Sequence, residues 1–144
     1  MDPVFRLQIR VAAEVVDRHR HVNNVAYVQW MQDAATGHAE ACGGARLARE
    51  FGGLWFVRTH RIEYLKPAFV NDEITLLTWV ADWRKVRSLR RYRFLRDQIV
   101  LADGETDWVF VDAASGRPKA IPEQLVSAFG VAPEGPAGKL KAEG

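Results

Sequence analysis

Only one stretch of this chain has the three- and four-residue spacing of a long amphipathic helix. It begins near Val25 and continues through six apolar or weakly polar side chains at that spacing: Tyr27, Met31, Ala34, Ala35, His38 and Cys42. Asn23 and Asn24 precede it, and an asparagine oxygen can accept from the first unpaired amides of a helix. Gly43 and Gly44 follow it, where glycine suits a left-handed C-terminal residue. The sequence therefore predicts one long helix with defined ends.

Strand-like patterns lie on both sides of this helix. One precedes it and four follow it without another long helix between them: 5–16, 54–65, 73–83, 88–102 and 105–112. Asp103-Gly104 is typical of a hairpin turn, and a last short helix is expected from Pro122 to about Phe129. An antiparallel sheet must bury one face, and the long helix is its only large partner. We therefore expect an α+β fold in which the sheet wraps around one central helix.

The other face of this sheet is predicted to carry further aromatic side chains. Simple alternation along the strands assigns Trp79, Trp83, Tyr92 and Phe94 to it. Contact with another subunit would cover them, and burial under the C-terminal segment is the alternative. We expect a single domain over residues 1–130 and a flexible tail over residues 131–144, which contain Pro, Gly, Lys and Glu.

Charge and cysteine content narrow the functional classes. The net charge of +2 is too small to indicate nucleic acid by itself, and the single cysteine, Cys42, fits a reducing cytoplasm. Neither a membrane-spanning apolar run nor an N-terminal signal segment is evident, so we expect a cytoplasmic protein without a membrane partner. No glycine-rich phosphate loop is present, which gives nucleotide cofactors no support.

The densest polar cluster is the segment DRHRHVNN, residues 17–24. Asp17 closes the first strand, where a carboxylate could attack an acyl carbonyl, act as a base toward water, or only cap a turn. Asn24 and Val25 should lie at the helix N-terminus, whose free amides could stabilise an oxyanion. His19 and His21 could join Asp17 at a metal, but the remaining histidines lack ligand spacing. A hydrogen-bonding or proton-handling role for His21 is therefore favoured, which makes it a catalytic candidate with Asp17 and Asn24, and a structural histidine that fixes the loop is the alternative. No metal or other cofactor is expected.

A basic run follows the third strand-like stretch. Seven of the chain's 20 Lys and Arg residues fall within residues 84–96. Guanidinium groups grip phosphate oxygens in a fork, so we consider four of them candidate phosphate contacts: Arg84, Lys85, Arg87 and Arg90. A solvated edge strand protected by charge is an equally good interpretation. Nucleic-acid binding is disfavoured because stacking aromatics are not interleaved with the charges.

Three segments resemble one known family. DRHRHVNNVAYVQW resembles the D-x-x-x-H-V-N-N-x-x-Y segment of hotdog-fold thioesterases, a group that includes 4-hydroxybenzoyl-CoA thioesterase and related acyl-CoA and acyl-ACP thioesterases. RIEYLKPAFVNDEITLLTWV is similar to the next strands of that family, and DAASGRPKAIP to its closing strand and turn. Together the segments cover most of residues 5–129 in the family's order. The resemblance implies a five-stranded antiparallel sheet around the helix, and a homodimer or homotetramer with its site between subunits.

The resemblance also assigns roles to individual residues. Asp17 matches the catalytic carboxylate, and Asn24 the helix start whose amide polarises the thioester carbonyl. His21 and Asn23 match residues that build the acyl-ACP site, while Tyr27 matches an aromatic of the helix. The basic residues 84, 85 and 87 lie where benzoyl-CoA relatives bind the nucleotide phosphates.

The expected function is acyl-CoA hydrolysis. An acyl-ACP thioesterase and a non-catalytic binder of acyl-CoA or acyl-ACP are the alternatives. Two residues depart from the family pattern: Arg20 replaces a glycine that many relatives have, and His19 replaces an asparagine of the acyl-ACP branch.

Overall fold

The computed structural model describes residues 2–136. Five strands and three helices follow one another along the chain, with a 3₁₀ turn at Ala13–Val15 after the first strand. They are β1 (Phe5–Arg10), α1 (Asn24–Cys42), α2 (Gly44–Glu50), β2 (Gly53–Tyr64), β3 (Glu73–Trp83), β4 (Arg87–Arg96), β5 (Ile99–Asp112) and α3 (Glu123–Phe129). The long helix has the predicted ends, and Gly43 takes the expected left-handed conformation with φ 82°.

The five strands form one antiparallel sheet in the order β1-β3-β4-β5-β2. Its inner face packs on α1, and the core between them includes the fully buried side chains of Met31, Phe94 and Leu101. Burying this much apolar surface is the main driving force for such a layered fold. The predicted α+β hotdog architecture, a five-stranded antiparallel sheet around one long helix, is confirmed.

The predicted turn at Asp103-Gly104 is wrong. The β4–β5 hairpin turns at Asp97-Gln98 instead, and residue 97 has a φ of 55°. Gly104 lies in the middle of β5, where a Cβ atom would come within 3.0 Å of the Met31 sulfur. Glycine is thus favoured there by the close approach of the Met31 side chain of α1 to the sheet and not by a turn.

The assignment of aromatic residues to the outer face is wrong for three of the four. Tyr92 and Phe94 lie in the inner core against α1. An irregularity between Val80 and Asp82 shifts the alternation of β3, so that Trp83 also faces inward and its indole donates to the carbonyl of residue 130 at 3.0 Å. Simple alternation fails where a bulge inserts one residue.

Trp79 does lie on the outer face, and the segment after α3 covers it. Ala132 packs in the same outer cluster, and a Cβ atom on Gly135 would lie 2.8 Å from the Trp79 ring. For Trp79, these contacts favour burial by the C-terminal segment. The remainder of the predicted flexible tail, residues 137–144, lies outside the described residues.

Candidate active site

The polar segment between β1 and α1 folds into a tight loop that is held by its own backbone. The amide of Asp17 donates to the carbonyl of His21 at 2.8 Å, and the amide of Arg20 donates to the carbonyl of Asp17 at 2.9 Å. Residues 16 and 22 form an isolated antiparallel bridge at the base of the loop. Closing so short a loop places residue 20 in the left-handed region, with φ 68°. A glycine would adopt that conformation without steric cost, which accounts for the family's preference at this position.

The Asp17 carboxylate lies on the exposed side of this loop. Its Oδ1 atom accepts from the amide of His19 at 2.8 Å and from that of His21 at 3.2 Å. Its other oxygen has no hydrogen-bond partner among residues 2–136. Backbone amides therefore fix the carboxylate in one orientation while one oxygen stays available for chemistry.

The loop is anchored to the connection between β2 and β3. The amide of Val22 donates to the carbonyl of Ala68 at 2.9 Å, and residue 21 forms a bridge with residue 69. The His21 imidazole lies edge-on to the Phe69 ring, with 5.3 Å between the ring centroids. His21 thus contacts Asp17 through its backbone, and its ring contributes packing.

Asn23 joins the loop to the helix. Its side-chain amide donates to the carbonyl of Val15 at 2.9 Å, and its side-chain oxygen accepts from the amide of Ala26 at 2.9 Å. It is therefore the N-cap of α1. The amides of Asn24 and Val25, in the first turn, have no acceptor among the described residues and lie at the positive end of the helix dipole.

These elements line an open pocket of about 340 Å³. The loop and α1 contribute one wall, and the end of β2 with the following residues contributes the other: Asp17, His21, Val22, Asn24, Tyr27, Tyr64, Leu65, Lys66 and Pro67. The fold thus brings together three predicted catalytic residues, 17, 21 and 24. His19 and Asn23 belong to the same loop, although their side chains do not line the pocket.

Tyr64 is a pocket residue that the sequence did not single out. Its hydroxyl donates to the carbonyl of Asn24 at 3.4 Å, and its ring lies edge-on to Tyr27. The sequence signal that could have located it is the Y-x-x-P-A pattern of residues 64–68, at the end of a strand-like stretch. Tyr27 itself is almost fully buried, and burial beside Tyr64 raises the pKa of its hydroxyl to about 12. Both rings therefore serve as apolar walls with neutral hydroxyl groups.

The basic run does not join this pocket within one chain. Arg84 and Lys85 lie in the exposed turn after β3, whereas the Asp17 loop is anchored just before the start of β3. Eleven residues of strand separate the two ends, a distance of roughly 30 Å. Arg84 contacts Asp82 at 2.7 Å, and Arg87 contacts Asp107 at 3.3 Å.

The interpretation of the basic run as an edge strand is wrong, because β4 is the central strand of the sheet. Its outward arginines are balanced by acids on β5: Arg93 makes two hydrogen bonds to Asp103, at 2.8 and 3.0 Å. Arg90 is separated from Arg84, Lys85 and Arg87, because its side chain points inward and is only 4% exposed. A surface contact with coenzyme A phosphates is not open to it.

Within residues 2–136, no three His, Cys, Asp or Glu side chains come together as they would around a metal ion. None of the helices among these residues is long and apolar enough to cross a bilayer.

Comparisons with known proteins identify the family and the fold. Residues 11–129 match the model of the thioesterase-like superfamily. The acyl-CoA thioester hydrolase YbgC of Escherichia coli is 26% identical over 130 residues, covering 88% of this chain and 96% of the relative. Two solved structures share the fold over most of their length. They are the probable thioesterase YbaW of Escherichia coli (TM-score 0.80, 20% identity, 87% and 96% coverage) and the 1,4-dihydroxy-2-naphthoyl-CoA thioesterase Slr0204 of Synechocystis (0.77, 15%, 88% and 95%).

The family model spans the Asp17 loop, all of α1 and the strands from β2 to β5, which are the elements that build the pocket. The chain belongs to the thioesterase-like superfamily.

Proposed function

We propose that this protein hydrolyses acyl-CoA thioesters and that Asp17 is the catalytic carboxylate. The observation that carries the proposal is the pairing of an exposed, amide-oriented carboxylate with the free amides of a helix N-terminus across one pocket. Thioester hydrolysis needs a group that attacks or activates water and a donor for the developing oxyanion. The similarity to YbgC, named as an acyl-CoA thioester hydrolase, supports the same chemistry.

The reaction can proceed by two routes from this geometry. As nucleophile, an Asp17 oxygen bonds to the thioester carbonyl carbon, and the carbon–sulfur bond breaks with departure of the CoA thiolate. Water then hydrolyses the mixed anhydride to the free acid and the Asp17 carboxylate, and the proton that is released converts the thiolate to the thiol. As general base, Asp17 takes a proton from water, whose oxygen attacks the carbonyl carbon, and the thiolate leaves as the thiol. In both routes, the amides of Asn24 and Val25 donate to the carbonyl oxygen as it becomes negative. His21 and Asn23 act by holding the loop and the helix start.

The first test is free-thiol release from a panel of acyl-CoA esters by wild type and Asp17→Asn. Asparagine keeps the shape of the side chain but can neither attack as a carboxylate nor take the proton. We expect turnover to fall at least about 100-fold, with unchanged thermal unfolding. Asp33→Asn is the matched control, since that exposed carboxylate of α1 contacts only Gln29 among the described residues and should leave turnover intact.

Near-normal turnover in Asp17→Asn would overturn the assignment of the catalytic residue. Release of thiol from acyl-ACP but not from any CoA ester would identify the carrier-protein branch of the family. If neither thioester is cleaved but acyl-CoA stabilises the fold, the protein is a binder. After a single turnover in ¹⁸O-water, ¹⁸O in the Asp17 side chain would establish the nucleophilic route, because it arises only when water attacks the Asp17 carbonyl carbon of the anhydride.

A homodimer or homotetramer belongs to the same proposal. The edge strand β2 has no partner on one side within the described chain, and it exposes Leu54 and Phe56. An apolar open edge is usually covered by another subunit. A second subunit would also be needed for Arg84, Lys85 and Arg87 to reach a CoA phosphate at an Asp17 pocket. Light scattering should give twice or four times the monomer mass, and a monomer at micromolar concentration would contradict the proposal. The location of the protein in the cytoplasm stays a prediction.

A further inference from the structure

A second cavity lies between helices α1 and α2 and the inner face of the sheet, apart from the Asp17 pocket. It has a volume of about 470 Å³. Small side chains of α1 and α2, including Ala39 and Ala48, form one side, and the rings of Trp55, Trp83 and Trp108 form much of the other. Such a volume with mainly apolar walls and few polar groups is typical of a small-molecule site.

Among residues 2–136, the charged side chains that line this cavity are all positive. They are the exposed Arg49 and the buried Arg90, and no acidic side chain is among the lining residues. No carboxylate among residues 2–136 lies within ion-pair distance of the Arg90 guanidinium. The neighbouring arginines of β4, at positions 87, 91 and 93, all have acidic partners.

The groups that do contact Arg90 are neutral. One terminal nitrogen donates to Thr78 Oγ1 at 3.1 Å and to His38 Nδ1 at 3.0 Å, and the guanidinium lies 5.4 Å from the centre of the Phe129 ring. Arginine can only donate, so His38 accepts through Nδ1 and carries its proton on Nε2. Burial, together with the neighbouring Arg90, lowers the pKa of His38 to about 4, so that it is uncharged at neutral pH. Among residues 2–136, the buried guanidinium is thus contacted by neutral groups and has no carboxylate partner.

A buried charge without a partner strongly destabilises a protein, and proteins rarely retain one without a use. A ligand that compensated this charge would need an anionic group at Arg90 and an apolar body between the helices and the tryptophans. Ser88, in the cavity wall, offers a further donor.

We infer that this cavity binds an organic carboxylate with an apolar body and that Arg90 is its counter-ion. Two sources supply that chemistry. One is a free carboxylic acid, the class of product that thioester hydrolysis releases. The other is the acyl group of a thioester whose far end carries a free carboxylate. Only this second source rests on the proposed function.

The test compares ligands that differ only in the charged group. Calorimetric titration of Asp17→Asn with octanoate and with 1-octanol measures binding without turnover, so its result does not depend on whether the protein is a thioesterase. We expect octanoate to bind at least about tenfold more tightly than the alcohol, as a charge-assisted hydrogen bond should provide. Suberyl-CoA and octanoyl-CoA, titrated in the same way, test the second source.

Arg90→Met in the same background should abolish these preferences, since methionine fills similar space without charge. Arg91→Met is the matched control, because that arginine lies next in sequence, is exposed on the opposite face and pairs with Glu105. Arg90→Lys, which keeps the charge, should retain part of the preference. Circular dichroism verifies that each variant is folded. If Arg90→Met does not fold, the comparison of each carboxylate with its neutral counterpart, made with Arg90 in place, still tests the inference.

An octanoate preference that requires Arg90 supports a free-acid site. A suberyl-CoA preference that requires Arg90, without octanoate binding, supports the acyl source. The inference is overturned if neither carboxylate is preferred over its neutral counterpart, or if the preference survives in Arg90→Met.

Discussion

Asp17 and Arg90 are held in opposite ways. The Asp17 carboxylate is exposed and oriented by backbone amides of its own loop, whereas the Arg90 guanidinium is buried and contacted by neutral side chains from α1, β3 and α3. A side chain that is held by hydrogen bonds to backbone amides of its own loop can be substituted with little loss of stability. A site built from long-range packing is coupled to the stability of the whole domain. The two regions should therefore respond differently to equivalent changes.

A matched pair of phenylalanines gives the largest contrast. Phe129 is buried against His38, Trp83 and Arg90, whereas Phe69 is 39% exposed beside the His21 ring. Phe129→Ala removes a core ring and opens the Arg90 cluster, so we expect a loss of about 3 kcal/mol in the free energy of unfolding. Phe69→Ala should cost less than about 1 kcal/mol. Urea unfolding of both variants measures the difference.

Equal losses in the two variants would break the comparison, because they would mean that the Asp17 loop is as tightly coupled to the core as Arg90 is. A larger loss of unfolding free energy in Phe69→Ala than in Phe129→Ala would mean that the Asp17 loop is the more tightly coupled of the two regions. Thiol release sharpens the result: Phe69→Ala should affect turnover more than stability, since its ring supports the loop through His21.

The pH dependence of stability gives the next contrast. Because the pKa of His38 is about 4 in the folded protein and has its ordinary value of 6.5 in the unfolded chain, the unfolded state takes up a proton first as the pH falls. The contribution of uncharged His38 to the free energy of unfolding is fully present above pH 6.5 and is lost as the pH falls toward 4. Between pH 7 and pH 5 the loss should be about 2 kcal/mol. Arg90 and Asp2 are the charged groups that act on His38, with opposite signs.

His38→Gln isolates this effect. Glutamine can still accept from Arg90 but does not titrate. Between pH 7 and pH 5, the unfolding free energy of the variant should therefore fall by about 2 kcal/mol less than that of wild type. Burial also lowers the pKa of His60, which contributes in the same direction and remains in the variant. An identical pH profile for wild type and His38→Gln would show that the histidine is not buried in solution as it is in this structure.

The same contrast explains what could be predicted from the sequence. The helix ends and the Asp17 loop depend on neighbours within a few residues, and both could be located from Asn23, Gly43 and the polar run. The position of Arg90 depends on the register of β4, on the bulge near residue 81 and on the true hairpin at Asp97. None of these has a strong local signal, so Arg90 was grouped with its exposed neighbours. The hairpin turn predicted at Asp103-Gly104 is wrong for the same reason, because the glycine is favoured by a helix that is distant in sequence and not by a turn.

The smallest effect tests whether the Asp17 loop is strained. Among residues 2–136, three non-glycine residues have a positive φ: Arg20, Asn71 and Asp97. Asparagine and aspartate tolerate that conformation, whereas arginine does so at some cost. Arg20→Gly relieves the strain but makes the unfolded chain more flexible, so we expect a net gain of only a few tenths of a kcal/mol, up to about 1 kcal/mol. Arg18→Gly, at a position without a positive φ, should instead destabilise by about 0.5 to 1 kcal/mol.

The kinetics of Arg20→Gly then distinguish strain from function at this position. If arginine is only tolerated in the loop, the glycine variant gains stability and keeps its KM, because the amides that orient Asp17 belong to residues 19 and 21. If the exposed cation helps to bind the acidic substrate, KM should rise while stability still increases. That second outcome would mean that the loop accepts backbone strain in exchange for a positive charge beside Asp17, the carboxylate proposed to be catalytic, as strained residues at functional sites often do. A loss of stability in Arg20→Gly would contradict the left-handed conformation itself.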